Sequence, residues 1–135
     1  MKRLFPVLVL AILTVVLLTA ATPVPNPTFN LVQGLPSAMN VGEIQTVVIE
    51  VTSDQEFISA TALPSFQYPG KGVVAVQGGD RSGRGNSATL EVTFKAKSPT
   101  APMEGGVAPV YVVVGVRYAG GYVAVQEYVF YVTVP

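Results

Sequence analysis

From residue 28 to the C-terminus, runs in which apolar and polar side chains alternate are broken at short intervals by glycine and proline, and no window sustains the 3.6-residue period of an amphipathic helix. The clearest run is 88–96. Ala88, Leu90, Val92, Phe94 and Ala96 fall on one face, and Thr89, Glu91, Thr93 and Lys95 on the other. A second run follows the turn residues Asn40-Val41-Gly42-Glu43, with Val47, Ile49 and Val51 on one side and Thr46, Val48, Glu50 and Thr52 opposite. Such runs are strands with one face on a core and one in water. Phe29 and Leu31 mark an earlier strand, which Gly34-Leu35-Pro36 closes. Weaker strands are predicted at 57–63 and 73–77, joined by a stretch rich in proline and glycine.

The C-terminal third predicts a long hairpin. Residues 110–118 and 122–134 flank Gly120-Gly121, a pair suited to a two-residue turn with positive φ. Pairing Ala119 with Tyr122 sets Val116 opposite Val125. Continued unbroken, that register would set Val114 against Glu127 and bury a carboxylate. A β-bulge at Gln126-Glu127 removes the conflict and brings Val114 to Tyr128, Val112 to Phe130 and Val110 to Val132. The opposite face then carries Tyr111 facing Tyr131 and Val113 facing Val129. These four side chains would form an apolar patch of roughly a few hundred Å², a size at which patches often mark contact sites. A covering loop, or the preference of strands for β-branched and aromatic residues, would account for them without a partner.

About seven short strands separated by turn signals predict an all-β domain over residues 28–135, an immunoglobulin-like antiparallel sandwich. The successions "VGEIQTVVIEVTSD", "SATLEVTFKAK" and "APVYVVVGVRYAGGYVAVQEYVFYVTVP" resemble the small immunoglobulin-like modules of prokaryotic cell surfaces, such as the adhesion-related CARDB type. The resemblance lies in the pattern of alternation and spans nearly all of the chain after residue 28. It implies an extracellular spacer or interaction role.

The start of the chain reads differently. Lys2 and Arg3 precede an almost wholly apolar stretch over 4–18, and Thr19-Ala20-Ala21 supplies small residues for a signal peptidase. Residues 1–21 are therefore expected to be a signal peptide cut after Ala21, and N-terminal sequencing of exported material should begin at Thr22. Recovery of intact Met1 in the membrane fraction would instead establish an anchor. Residues 22–27 hold three prolines and read as an extended spacer. Removing 21 of the 135 residues leaves 114, with 6 basic against 8 acidic residues and a net charge of −2. A core of that size needs no disulfide staples. Without a basic stripe the chain has no footprint for nucleic acid, and once the leader is cut it needs no membrane.

The chain contains no histidine and no cysteine, which excludes a Ser-His-Asp triad, a Cys-His pair and a conventional zinc site. No serine stands in a Ser-x-x-Lys context, although Lys71, Lys95 and Lys97 are present. Glu50 and Glu91 fall on wet strand faces and read as solvated surface rather than a glycosidase pair. The segment 78–86 gathers glycines with Asp80, Arg81 and Arg84. It admits an anion-binding nest but matches no phosphate loop, and a plain inter-strand connection is the simpler reading. Asp80 alone is too little for calcium. Phe66 and Tyr68, in a predicted loop, would either stack on sugar rings or fold back over the core.

These features together predict a secreted, non-catalytic, structural or adhesive module without a cofactor. It would act through an envelope protein or a second copy of itself. The contact surface is Tyr111, Val113, Val129 and Tyr131. The alternatives are a carbohydrate-binding module using a ligand loop of Phe66, Tyr68, Asp80, Arg81 and Arg84, and a small hydrolase of unfamiliar chemistry.

Overall fold

The computed structural model describes residues 23–66, 69–78, 81–82 and 84–135. The fold is all-β. Its strands are β1 (Pro27–Gln33), β2 (Ile44–Phe66), β3 (Val73–Gln77), the two-residue β4 (Arg81–Ser82), β5 (Gly85–Ala96), β6 (Ala108–Tyr118) and β7 (Val123–Val132). Every strand pair is antiparallel. The only helical element among the described residues is a 3-10 turn at Glu104–Gly106.

Two strands expected on either side of residues 53–56 form the single 23-residue β2. The interruption survives as a change of partners. Up to Ser53, β2 lies between β1 and β5, with Phe29 opposite Val51 and Val47 opposite Val92. From Phe57 onward it pairs with β6, Ala62 opposite Val114, while on its other side Phe57 still meets Gly85 of β5 and Thr61 meets Arg81 of β4. The register shifts at this changeover, between Thr52 and Phe57 on one side and between Phe57 and Ser59 on the other. Local polar contacts hold the crossing: Ser53 Oγ lies 2.7 Å from Tyr118 Oη, and the Gln55 N–H donates to Ser53 Oγ at 3.3 Å.

The alternation read from the sequence sets the core. Val47, Ile49 and Val51 of β2, with Leu90, Val92, Phe94 and Ala96 of β5, are buried in one cluster with Ala60 and Ala62 of β2 and the even-numbered residues of β6 from Ala108 to Tyr118. Thr89, Glu91 and Lys95 point to solvent, as the pattern requires.

The hairpin corrects one expectation. No bulge interrupts β6 and β7, which pair without a shift from Ala108↔Val132 to Arg117↔Val123. The turn is longer by one residue instead. The Tyr118 N–H donates to the Tyr122 carbonyl at 2.9 Å, leaving Ala119, Gly120 and Gly121 as the connection, with φ of 91° and 92° at the two glycines. One added turn residue changes the pairing by one position and so reverses the facing of β7. Glu127 swings outward opposite Val113, which removes the buried carboxylate that the bulge was invoked to avoid. Val125, expected inside, faces out and is 62% exposed.

The segment after β1 crosses to the far edge of β7. The Met39 N–H donates to the Thr133 carbonyl at 3.0 Å and the Thr133 N–H to the Ser37 carbonyl at 2.9 Å, a short parallel bridge. Gly34 makes the approach possible, because a Cβ there would fall 2.7 Å from Phe130 Cε1.

Candidate functional site

The two sides of the fold that face away from the core differ in chemistry. Outside β2 (first part), β5 and β3 polar residues predominate, with Thr46, Glu50, Thr52, Thr89, Glu91, Thr93 and Lys95, although the exposed Ile44 and the half-buried Val48 and Val74 share these rows. Thr46 and Thr93 sit directly opposite, their hydroxyls 2.9 Å apart. Such a ladder is the expected wet face of a half-buried strand pair.

Outside β2 (second part), β6 and β7 the surface is mostly apolar. Leu63 pairs with Val113, which pairs with Glu127; Ser65 pairs with Tyr111, which pairs with Val129. One row further, Pro109 meets Tyr131; two rows the other way, Gly115 meets Val125 and Arg117 meets Val123. Adjacent strands stand about 4.8 Å apart, so these side chains form one continuous face. Leu63, Val125 and Tyr131 are about three-fifths exposed, at 57%, 62% and 63%. Tyr111 and Val113 are half-buried among their neighbours. Arg117 and Glu127 are the only charged residues in the sequences of β6 and β7.

All four residues expected on this face lie there. Tyr111 faces Val129 rather than Tyr131, and Val113 faces Glu127 rather than Val129, because of the longer turn. Sequence reasoning missed Leu63, Val123 and Val125. The last was assigned inward by the two-residue turn, and the register error hid how far the patch extends. On the core side of β7, burial pushes the Tyr128 phenol above its ordinary pKa, so it stays neutral through the physiological range. At the changeover, Tyr118 meets Phe57 edge-on at 6.5 Å between ring centroids and Tyr122 at 5.9 Å.

No protein-family model and no curated protein matches the chain. Its functional reading therefore rests on its own surface.

The second group of candidate residues is less compact. Phe66 ends β2 with its backbone opposite Val110, and Arg81 lies opposite Thr61. Those two stations on β2 are five residues apart, roughly 17 Å at strand spacing. Arg84 is exposed at the bend before β5. Tyr68 and Asp80, and the side chains of Phe66 and Arg81, lie outside the described residues.

The sequence did not reveal a groove of about 710 Å³ lined by Lys71, Lys97, Pro99, Pro102, Met103 and Glu104. Lys71 and Lys97 do share it, but Ser98 beside them accepts the Gly72 N–H at 2.8 Å. That serine is engaged in holding two loops together. Among the described residues no three acidic side chains gather as metal ligands.

Proposed function

We propose that this chain is an exported, non-catalytic structural or adhesive module of the cell envelope, acting by protein contact through the apolar face of β2, β6 and β7. The observation that carries this reading is the contrast between that face and the polar one outside β5. The same alternation produces both, so strand propensity alone does not explain why hydroxyl and charged side chains dominate one and valine and tyrosine the other. The five exposed residues Leu63, Val123, Val125, Val129 and Tyr131 together present roughly a few hundred Å² of mostly apolar surface, a size at which patches are often functional.

The pairing order supports an immunoglobulin-like sandwich. β1, the first part of β2, β5 and β3 succeed one another as strands A, B, E and D do in that fold, and the second part of β2, β6 and β7 as C, F and G. The prokaryotic surface modules that the alternation resembles would then share both architecture and role. Export rests on Lys2, Arg3 and the apolar run that follows them.

Tyr111→Lys combined with Val129→Lys tests the contact. Both side chains lie outside the core, so the double variant should stay folded, within about 1 kcal/mol of the parent in denaturant titration. It should lose the binding made through that face. A parent protein that is monomeric at high concentration and captures nothing from envelope extracts would end this reading. A glycan array probes the carbohydrate alternative: sugar binding abolished by Phe66→Ala and Tyr68→Ala, with the fold intact, would replace the contact reading.

A further inference from the structure

A sheet edge is a row of unpaired backbone groups, and proteins blunt such edges with proline, lysine, bulges or short strands. Three edges of this fold carry those devices. β1 begins at Pro27 and shifts register between Leu31 and Gln33. β3 has five residues and a shift between Ala75 and Gln77. β4 has two residues. β7 differs: it runs for ten residues, VAVQEYVFYV, without proline, lysine or a register shift. Among the described residues no strand pairs with its outer edge.

Four hydrogen bonds establish which groups point to that edge. The bond from the Tyr118 N–H to the Tyr122 carbonyl marks that pair as hydrogen-bonded, and antiparallel alternation then turns the even-numbered residues of β7 toward β6. Thr133 directs its N–H and carbonyl the other way, to Ser37 and Met39. The Glu127 carbonyl accepts the Gln126 side-chain amide at 3.2 Å. The odd-numbered residues from Val123 to Tyr131 therefore aim their backbone groups outward.

We propose that this edge pairs with the same edge of a second copy of the chain, β7 antiparallel to β7 about a two-fold axis at Gln126. The inference goes beyond the contact reading above: it adds an edge contact between two copies that leaves the apolar face free. A two-fold axis at any residue matches odd positions with odd ones, as the free groups require. An axis at Glu127 would set the two Glu127 carboxylates directly opposite, which is unfavourable. An axis at Tyr128 would bring the second copy against the stretch near Thr133 already held by 37–39. An axis at Gln126 avoids both and pairs residues 123–129 of each strand, whereas an axis at Val125 pairs only 123–127. It sets Val125 against Glu127 of the second copy, Val123 against Val129, and the two Gln126 residues against each other. Their side-chain amides would exchange the bond to the Glu127 carbonyl for one across the axis. The same pairing joins the apolar outer faces of two molecules into one surface twice as wide.

Two variants of the purified protein test this edge separately from the face. The Glu127 N–H points outward, so Glu127→Pro removes a donor at the edge without breaking the ladder to β6, a position where edge strands tolerate proline. It should convert dimer to monomer in analytical ultracentrifugation, while Tyr111→Lys, on β6, should remain dimeric. Opposed residues of a non-hydrogen-bonded pair lie about 4.5 Å apart between Cα atoms, which suits a disulfide. In a chain without cysteine, Gln126→Cys should therefore cross-link to completion under mild oxidation. Thr89→Cys, on the polar face, should not. A monomeric parent, a dimer unaffected by Glu127→Pro, or equal cross-linking of the two cysteine variants would overturn the edge pairing. If Tyr111→Lys alone dissociates the dimer, the edge proposal falls while the contact face stands.

Discussion

Phe94→Ala should lower the unfolding free energy by about 3–5 kcal/mol, the range for deleting a buried aromatic ring and leaving a cavity. Phe94 is fully buried on β5, between Gln45 of β2 on one side and Ala75 of β3 on the other. Both neighbouring strands fix the backbone here, so the surroundings have little freedom to collapse into the void. Thr93, one residue earlier, lies on the wet face, where its hydroxyl meets Thr46 at 2.9 Å. Thr93→Ala removes one partly exposed hydrogen bond and should cost about 0.5–1.5 kcal/mol. In urea titrations both variants should keep the parent slope and shift the midpoint, Phe94→Ala by several times more. Equal shifts would mean that the two faces of β5 are wrongly assigned.

The assignment of faces was legible in the sequence wherever a strand alternates without interruption. Residues 88–96 and 46–52 contain enough apolar positions of one parity to decide which side is buried, and a one-residue slip would expose all of them. The hairpin was less legible because both parities of β6 are apolar: valine or tyrosine occupies nearly every position from 110 to 118. Only Glu127 and the turn length could fix the register. Gly120-Gly121 suited a two-residue turn, yet the positive φ at both glycines served a connection that also includes Ala119. A turn one residue longer and a bulge both keep the carboxylate out of the core, and the sequence does not choose between them. Tyr111, Val113, Val129 and Tyr131 do share the outer face, but the bulge placed Val125 inside when it faces out with them.

Continuity of β2 was hidden for a different reason. Residues 53–56 are polar, Ser-Asp-Gln-Glu, which reads as a turn between strands. The backbone stays extended through them because its partners change there, and its polar side chains fasten the crossing: the Asp54 carboxylate accepts the Asn26 N–H at 3.1 Å, and the Gln55 side chain donates to the Pro23 carbonyl at 3.1 Å. Such bonds depend on chain segments some thirty residues away, and no local pattern announces them.

Thr100→Val should destabilise the fold by about 1–3 kcal/mol, although valine has nearly the same shape, because it strands the buried Val134 N–H and leaves the part-buried Gly106 carbonyl without its donor. Thr100 is fully buried and is the only buried polar residue among those described. Its Oγ1 accepts the Val134 N–H at 2.9 Å and donates to the Gly106 carbonyl at 2.7 Å, tying the loop before β6 to the chain just past β7. The main-chain bond from the Thr100 N–H to the Val134 carbonyl, 3.0 Å, would survive the substitution. Thr100→Ser keeps the hydroxyl and loses one methyl group, so it should cost about 1 kcal/mol. The Val134 amide should exchange with solvent faster in Thr100→Val than in Thr100→Ser, beyond what their global stabilities account for. This tie lies at the far end of β7 from its turn, away from the edge between Val123 and Val129. Material that remains folded should therefore associate as the parent does. Equal stability of Thr100→Val and the parent would show that neither hydrogen bond contributes to holding the loop.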